Sequence, residues 1–147
     1  MAKTTKPGRG ALSDSAVYQL RRASQAVSAV WLQYLPELTP PQFSVLFTLA
    51  EHSALSQAEL GALISLDAST LTPLLDRMES RDLISKTIDP ANRRRRQVSI
   101  TAPGQQQLDR AYAEVTKTQQ WLVDVLGESA AQQLLVALRA LGDAPRD

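Results

Sequence analysis

Between Ser56 and Thr101 the chain reads SQAELGALISLDASTLTPLLDRMESRDLISKTIDPANRRRRQVSIT, and no other stretch constrains the fold as tightly. Ser56 and Glu59 form a capping box, in which the serine oxygen and the glutamate each satisfy free amides of a helix's first turn. Leu60, Leu63 and Ile64 follow at helical spacing, so this first helix is short and one-sided. Ser65-Leu66-Asp67 leaves room only for a turn, and Asp67 is a good N-cap for the next helix. Leu71, Leu74, Leu75 and Met78 give that second helix its buried stripe. Its other face carries Ala68, Ser69, Thr72, Asp76 and Arg77. Small hydroxyls and an arginine on an outward helix face can reach base edges in a DNA major groove. Ser69, Thr70, Thr72 and Arg77 are therefore the candidate reading residues, with Thr70 at the edge of the face. Ser56 and Gln57, at the start of the preceding helix, complete this contact set. Pro73 lies past the first turn, where a missing amide disturbs one hydrogen bond; the leucine stripe bridges it, which predicts a continuous helix with a slight bend.

A hairpin follows directly. Leu83–Ile88 and Gln97–Ile100 read as its strands, β-branched and roughly alternating, with turn chemistry in Asp89-Pro90-Ala91-Asn92. Arg93, Arg94, Arg95 and Arg96 then sit at its tip. Helix, short turn, helix is common geometry, and an arginine run alone is usually a solvated turn. Together they are more telling, because the basic tip begins directly after the reading helix. Arg77, Arg81, Lys86 and the four arginines face only Glu79, Asp82 and Asp89 across this region. A guanidinium at a hairpin end can enter a narrow minor groove while the helix occupies the neighbouring major groove.

With these residues in view, the sequence resembles the MarR family of winged-helix transcription regulators. The resemblance is carried by LTPPQFSVLFTLAEH at 38–52, LSQAELGALISLDASTLTPLLDRMESRDLI at 55–84 and DPANRRRRQVSITAPG at 89–104, and extends over roughly residues 12–142. Within that family, LDASTLTPLLDRME is most similar to the organic-hydroperoxide-sensing branch, which senses through a cysteine. This chain has no cysteine, so that chemistry does not carry over. Asn92 is a second departure, standing where the family's wing usually has an aspartate that would pair at the wing's base.

The 147 residues suit one domain: a basic, disordered tail over 1–11 and a winged-helix domain over 12–147. Net charge is only +1, so DNA affinity must come from local clustering. Lys3, Lys6 and Arg9 in the tail read as solubilising rather than phosphate-binding. The absence of cysteine excludes disulfides and thiolate sites and fits the cytoplasm. No apolar run reaches membrane-spanning length. His52 is the only histidine, beside Glu51, and Ser65 and Ser69 have no base within reach. Phosphate loops, GxSxG and metal-ligand spacings are absent. Catalysis, a metal and a cofactor are not expected.

Leu12–Tyr34 reads as a long helix with Ala16, Leu20, Ala23, Val27, Val30, Trp31 and Tyr34 on one stripe. Thr39 caps the next, with Pro40 and Pro41 at its start and Phe43, Leu46, Phe47 and Ala50 on its inner face. Leu55 either pairs in a small third strand or packs as a staple. Thr101 opens a second long helix with Leu108, Tyr112, Val115, Leu122 and Val125 apolar, and Glu128–Leu141 a last one with Leu134, Leu135, Leu138 and Leu141. Segments 12–36 and 102–142 thus flank a DNA-binding lobe at 38–101. Terminal helices with so much apolar surface are best buried against a second copy, and a twofold dimer sets two reading helices one DNA turn apart. The resemblance implies the same homodimer, and small aromatic or phenolic anions bound between dimerisation helices and lobe. Arg21, Trp31, Tyr34, Phe43 and Phe47 are the candidate ligand residues, against a plain packing role. The overall expectation is a mainly α, winged helix-turn-helix dimer that binds double-stranded DNA as a repressor and is released by a small ligand. An architectural nucleic-acid binder of the same fold, without an effector, is the alternative.

Overall fold

Side-chain caps fix where all the described helices but the last begin. The computed structural model describes residues 13–145, so the basic tail and Leu12 lie outside the described residues. Helix α1 spans Ala16–Tyr34 and starts at Ser15, whose hydroxyl accepts from the Tyr18 amide at 3.2 Å. That cap places the start later than the expected Leu12. Helix α2, Pro40–Glu51, opens on Thr39 with a capping box closed by Gln42. Strand β1, Leu55–Ser56, leads into α3, Gln57–Ile64, and α4, Ala68–Ser80, follows with Asp67 as its N-cap. Pro73 does not interrupt α4. Strands β2, Ile84–Asp89, and β3, Asn92–Ile100, make the wing, and α5, Ala102–Leu126, and α6, Glu128–Gly142, complete the chain.

The turn between α3 and α4 is tight. Ser65 adopts the left-handed conformation at φ 58°, and the Leu66 amide bonds back to the Gly61 carbonyl at 2.9 Å. A Cβ on Gly61 would stand 2.8 Å from the Leu66 oxygen, so only glycine allows this approach. The core then forms where expected around α4: Leu71, Leu74, Leu75 and Met78 are buried with Leu60, Leu38, Leu83, Ile84, Val98 and Leu108. Two expectations fail here. Leu63 is 56% exposed, pointing away from the lobe. The inner face of α2 is Gln42, Val45, Leu46 and Leu49, while Phe47 is 40% exposed and Ala50 is exposed. The 42-45-46-49 row faces the lobe, and the neighbouring row turns Phe43 and Phe47 towards Tyr112 of α5.

The sheet has order β1-β3-β2, wholly antiparallel. Leu55 pairs with Val98, which makes it the small third strand. The wing differs from expectation in one respect: β3 begins at Asn92, so the four arginines are part of the strand rather than its tip. The ladder steps from Ile88–Arg96 to Asp89–Asn92, so one step along β2 matches four along β3 and residues 93–95 lie in an irregular stretch of the ladder. The turn itself is only Pro90-Ala91, with the Asp89 carboxylate accepting from the Ala91 amide at 2.8 Å.

Helix α5 is seated against the end of the reading helix through Thr101, whose amide donates to the Leu83 carbonyl at 3.2 Å. A Cβ on Gly104 would lie 2.0 Å from that same oxygen. The flanking helices bury little of their apolar surface. Of the predicted α1 stripe only Trp31 is buried and Val27 and Val30 half-buried; Ala16, Leu20, Ala23 and Tyr34 are exposed. On α5, Leu108 is buried and Val115 and Leu122 are half-buried, whereas Tyr112 and Val125 are exposed. On α6, Leu135, Leu138 and Leu141 are exposed and Leu134 is half-buried. No helix among the described residues is long and apolar enough to cross a membrane.

Candidate nucleic-acid interface

The N-terminal turn of α4 is organised by one carboxylate. Asp67 accepts from the Thr70 amide and the Thr70 hydroxyl, both at 3.0 Å, and from the Ser69 hydroxyl at 2.5 Å. The Ser69 hydroxyl, then the Thr70 amide and hydroxyl, stabilise the charged form and hold its carboxyl down at about 2. Ser69, Thr70, Thr72 and Arg77 are all exposed along the helix, as the sequence predicts. Thr72 is joined to the preceding helix, its oxygen accepting from the Gln57 side-chain amide at 2.5 Å. Gln57 thus fixes the crossing of α3 and α4 at the surface that carries the reading face.

Ser56 has a different place. It is buried, its hydroxyl donating to Glu59 at 2.6 Å and accepting the Glu59 amide at 3.2 Å, so it caps α3 and presents nothing to a partner. The Ser56 hydroxyl and amide lower the Glu59 carboxyl below its ordinary range, and the Arg95 guanidinium at 3.9 Å adds to this. Arg93, Arg95 and Arg96 are exposed on β3; the side chain of Arg94 lies outside the described residues.

Lys86 is the residue that sequence reading passed over. It points from β2 back onto α4, where its ammonium meets Asp76 and lies 3.2 Å from Glu79. The Glu79 carboxylate also accepts the Lys86 amide at 3.2 Å. Burial opposes the charge on Lys86, but its bonds to Asp76 and Glu79 outweigh that and raise its pKa. The root of the wing is therefore tied to the reading helix by a lysine. The available signal was alternation: Lys86 falls on the strand face that looks towards α4, with acids one turn apart at 76 and 79.

The candidate ligand residues divide into two groups. Trp31, Phe43 and Phe47 form a ring cluster with Tyr112, with centroids 5.2–6.3 Å apart. Trp31 is buried and its indole N–H donates to the Leu38 carbonyl at 2.6 Å, so it is a strut between α1 and the entry to α2. Tyr34 stands outside the cluster, under the Lys117 ammonium at 5.7 Å, and lines a cavity of about 150 Å³ with Pro36, Glu37, Leu38, Arg110 and Glu114. Arg21 is absent from that lining. It precedes Tyr34 by 13 residues, about 20 Å along a helix axis, and the cavity's own cation is Arg110 of α5. His52 is exposed at the end of α2, and no His/Cys/Asp/Glu group among the described residues is arranged for a metal.

This combination of helix-turn-helix, lysine-tied wing and arginine-bearing strand defines a winged-helix transcription regulator. The MarR family profile matches residues 38–95. The chain is 39% identical over 95 residues to the transcriptional regulator HosA of Escherichia coli O111:H-, covering 65% of this chain and 70% of that one. Among solved structures it is similar to BpsR of Bordetella bronchiseptica, whose DNA binding is regulated by 6-hydroxynicotinic acid, with TM-score 0.86, 27% identity and coverage of 95% and 100%. It is also similar to the transcriptional repressor CouR of Rhodococcus jostii bound to a 23-mer DNA duplex, with TM-score 0.82, 30% identity and coverage of 93% and 99%. The chain belongs to the MarR family of DNA-binding transcription regulators.

Proposed function

We propose that this regulator is a homodimeric repressor that reads a palindromic operator with α4 and is released when a small organic anion binds. The observation that carries the reading is the exposed face Ser69-Thr72-Arg77 joined, through Lys86 of β2 and the β2–β3 ladder, to the strand bearing Arg93 to Arg96. In this proposal α4 enters the major groove, and the irregular arginine segment of β3 lies against phosphates and the adjacent minor groove. The exposed leucines of α6 and the outer side of α1 support a second copy as their cover. The repressor CouR, bound to a DNA duplex, supports the mode of binding.

The effector is assigned to the cavity beside Tyr34 rather than to the filled ring cluster. An aromatic ring edge and a leucine wall suit a small aromatic ring, the guanidinium of Arg110 is the lining's cation for an anionic group on it, and the Glu37 and Glu114 carboxylates are acceptors for a ring hydroxyl or N–H. 6-Hydroxynicotinic acid regulates DNA binding by the similar BpsR. The decisive experiment is selection of binding sites from random duplex DNA. An inverted repeat with half-sites about one turn apart, preferred at least about 10³-fold over random duplex, is expected. Equal affinity for all duplexes would mean the architectural alternative.

A further inference from the structure

A hydroxyl group at a DNA interface can donate one hydrogen bond and accept others, and normally rotates to suit the base it meets. Three hydroxyls on the outer face of α4 have lost part of that freedom. An ionised carboxylate only accepts, so in its bonds with Asp67 both Ser69 and Thr70 must be the donors. The carboxylate is firmly ionised at neutral pH, being held far below it by these same contacts. Each of the two hydroxyls is left with lone pairs and no hydrogen for a partner. Thr72 is the reverse case. Its oxygen accepts from the Gln57 amide, and its own hydrogen has no acceptor among the described residues.

We infer that Asp67 and Gln57 are positioning residues that set the polarity of base reading: Ser69 and Thr70 accept, and Thr72 donates. The major groove offers hydrogen-bond donors only at the amino groups of adenine N6 and cytosine N4. Ser69 and Thr70 therefore select an adenine or cytosine where they touch a base, and they cannot bind phosphate through their hydroxyls, because phosphate oxygens only accept. Thr72 takes the opposite chemistry, the N7 of either purine, a guanine O6, a thymine O4, or a phosphate oxygen. The inference rests on α4 being the reading helix, and it adds which edge each hydroxyl can read.

The test uses the full-length protein and the duplex recovered by site selection. Each adenine or cytosine of a half-site is replaced singly by an analogue lacking the exocyclic amino group, and each purine separately by its 7-deaza form. For the wild-type chain, loss of one amino group met by the N-terminal turn of α4 should weaken binding about fivefold per half-site, the value of one neutral hydrogen bond. In Ser69→Ala that particular penalty should vanish. Asp67→Asn keeps a good N-cap but offers only one accepting oxygen where the carboxylate had two. It should retain thermal stability within a few degrees, yet lose the amino-group preference and tolerate an acceptor at the same position. A merely structural role for Asp67 would move stability and leave the base profile alone. The inference is overturned if only the 7-deaza changes matter at positions sensitive to Ser69→Ala, or if Asp67→Asn leaves the profile unchanged. A failure of α4 to read bases at all looks different: Ser69→Ala and Thr72→Ala would weaken every duplex equally.

Discussion

Replacing Lys86 by methionine tests whether reading helix and wing act as one body. Methionine keeps most of the stem's apolar packing and removes only the ammonium. The ammonium's side chain is 10% exposed, whereas Asp76 and Glu79 are 63% and 43% exposed. An exposed ion pair contributes about 0.2–1 kcal/mol, and the sheltered lysine puts both pairs towards the upper end. Its loss also leaves two carboxylates one turn apart near the C-terminal end of α4, where like charge and the helix dipole each cost a few tenths of a kcal/mol. The sum is about 2 kcal/mol, or about 6–8 °C in Tm for a chain of this size. Urea unfolding of Lys86→Met, Glu79→Gln and the double variant should show a coupling of about 0.5–1 kcal/mol. The raised pKa of Lys86 means that the tie is complete below the ordinary lysine value and is lost only as pH rises through the folded value, so the effect should be constant between pH 6 and 9. Operator affinity should fall without a change in salt slope, because Lys86 is engaged by carboxylates and releases no counterion. Unchanged stability with a shallower slope would refute the argument and make Lys86 a phosphate contact.

Arg93→Ala and Arg95→Ala should each make the dependence of log K on log salt shallower by about 2 per dimer, one phosphate contact per subunit, read by titration across 50–200 mM salt. Trp31→Phe removes the donor to the Leu38 carbonyl and leaves that oxygen unpaired, which should cost about 1–3 kcal/mol in urea unfolding. Gly104→Ala forces a methyl group against the Leu83 carbonyl and should destabilise by about 1–3 kcal/mol, or more if the chain cannot shift. Asp67 has a depressed pKa, so its stabilising contribution is present above its ordinary value of 3.8 and is lost as pH falls towards about 2; Asp67→Asn should flatten acid unfolding over that window, as followed by circular dichroism.

What was legible in the sequence is what local chemistry decides. Ser56 with Glu59, Asp67 and Thr101 are caps whose partners lie three residues away, so their helices begin where the spacing says. The stripe Leu71, Leu74, Leu75 and Met78 has no apolar rival on α4, and it faces the core. Helix α2 has two rival rows, and both are apolar enough to be inner; only the position of α5 decides that Val45 and Leu49 face the lobe while Phe47 meets Tyr112. The arginine run hid the length of β3 because four identical polar residues carry no alternation, and the ladder that absorbs them is set by Ile88 and Asp89 on the other strand. Tyr34 was grouped with Trp31 from nearness in sequence. Three residues turn a helix by roughly 300°, which leaves them 60° apart, enough to put one in the ring cluster and the other over Lys117.

The same geometry says how a ligand beside Tyr34 could reach the DNA-binding face. Arg81, which caps the C-terminal end of α4, donates to the Glu37 carbonyl at 3.1 Å. Glu37 lines the cavity, and Leu38 beside it is buried in the core that holds α4 and also accepts the Trp31 indole. The Pro36–Leu38 segment is therefore held at one edge by the cavity and at the other by the reading helix. Binding alone releases nothing; the ligand must favour the arrangement in which this segment is displaced. Packed cores favour discrete arrangements over continuous bending, and α4 is coupled to the wing by Lys86. A shift entering at Glu37 would then rotate helix and wing together, changing the distance between the reading helices of a dimer while leaving the contacts within each half-site intact. For the proposed dimer and effector site this predicts release by altered spacing rather than by local melting of α4, with no chemistry at the reading helix itself.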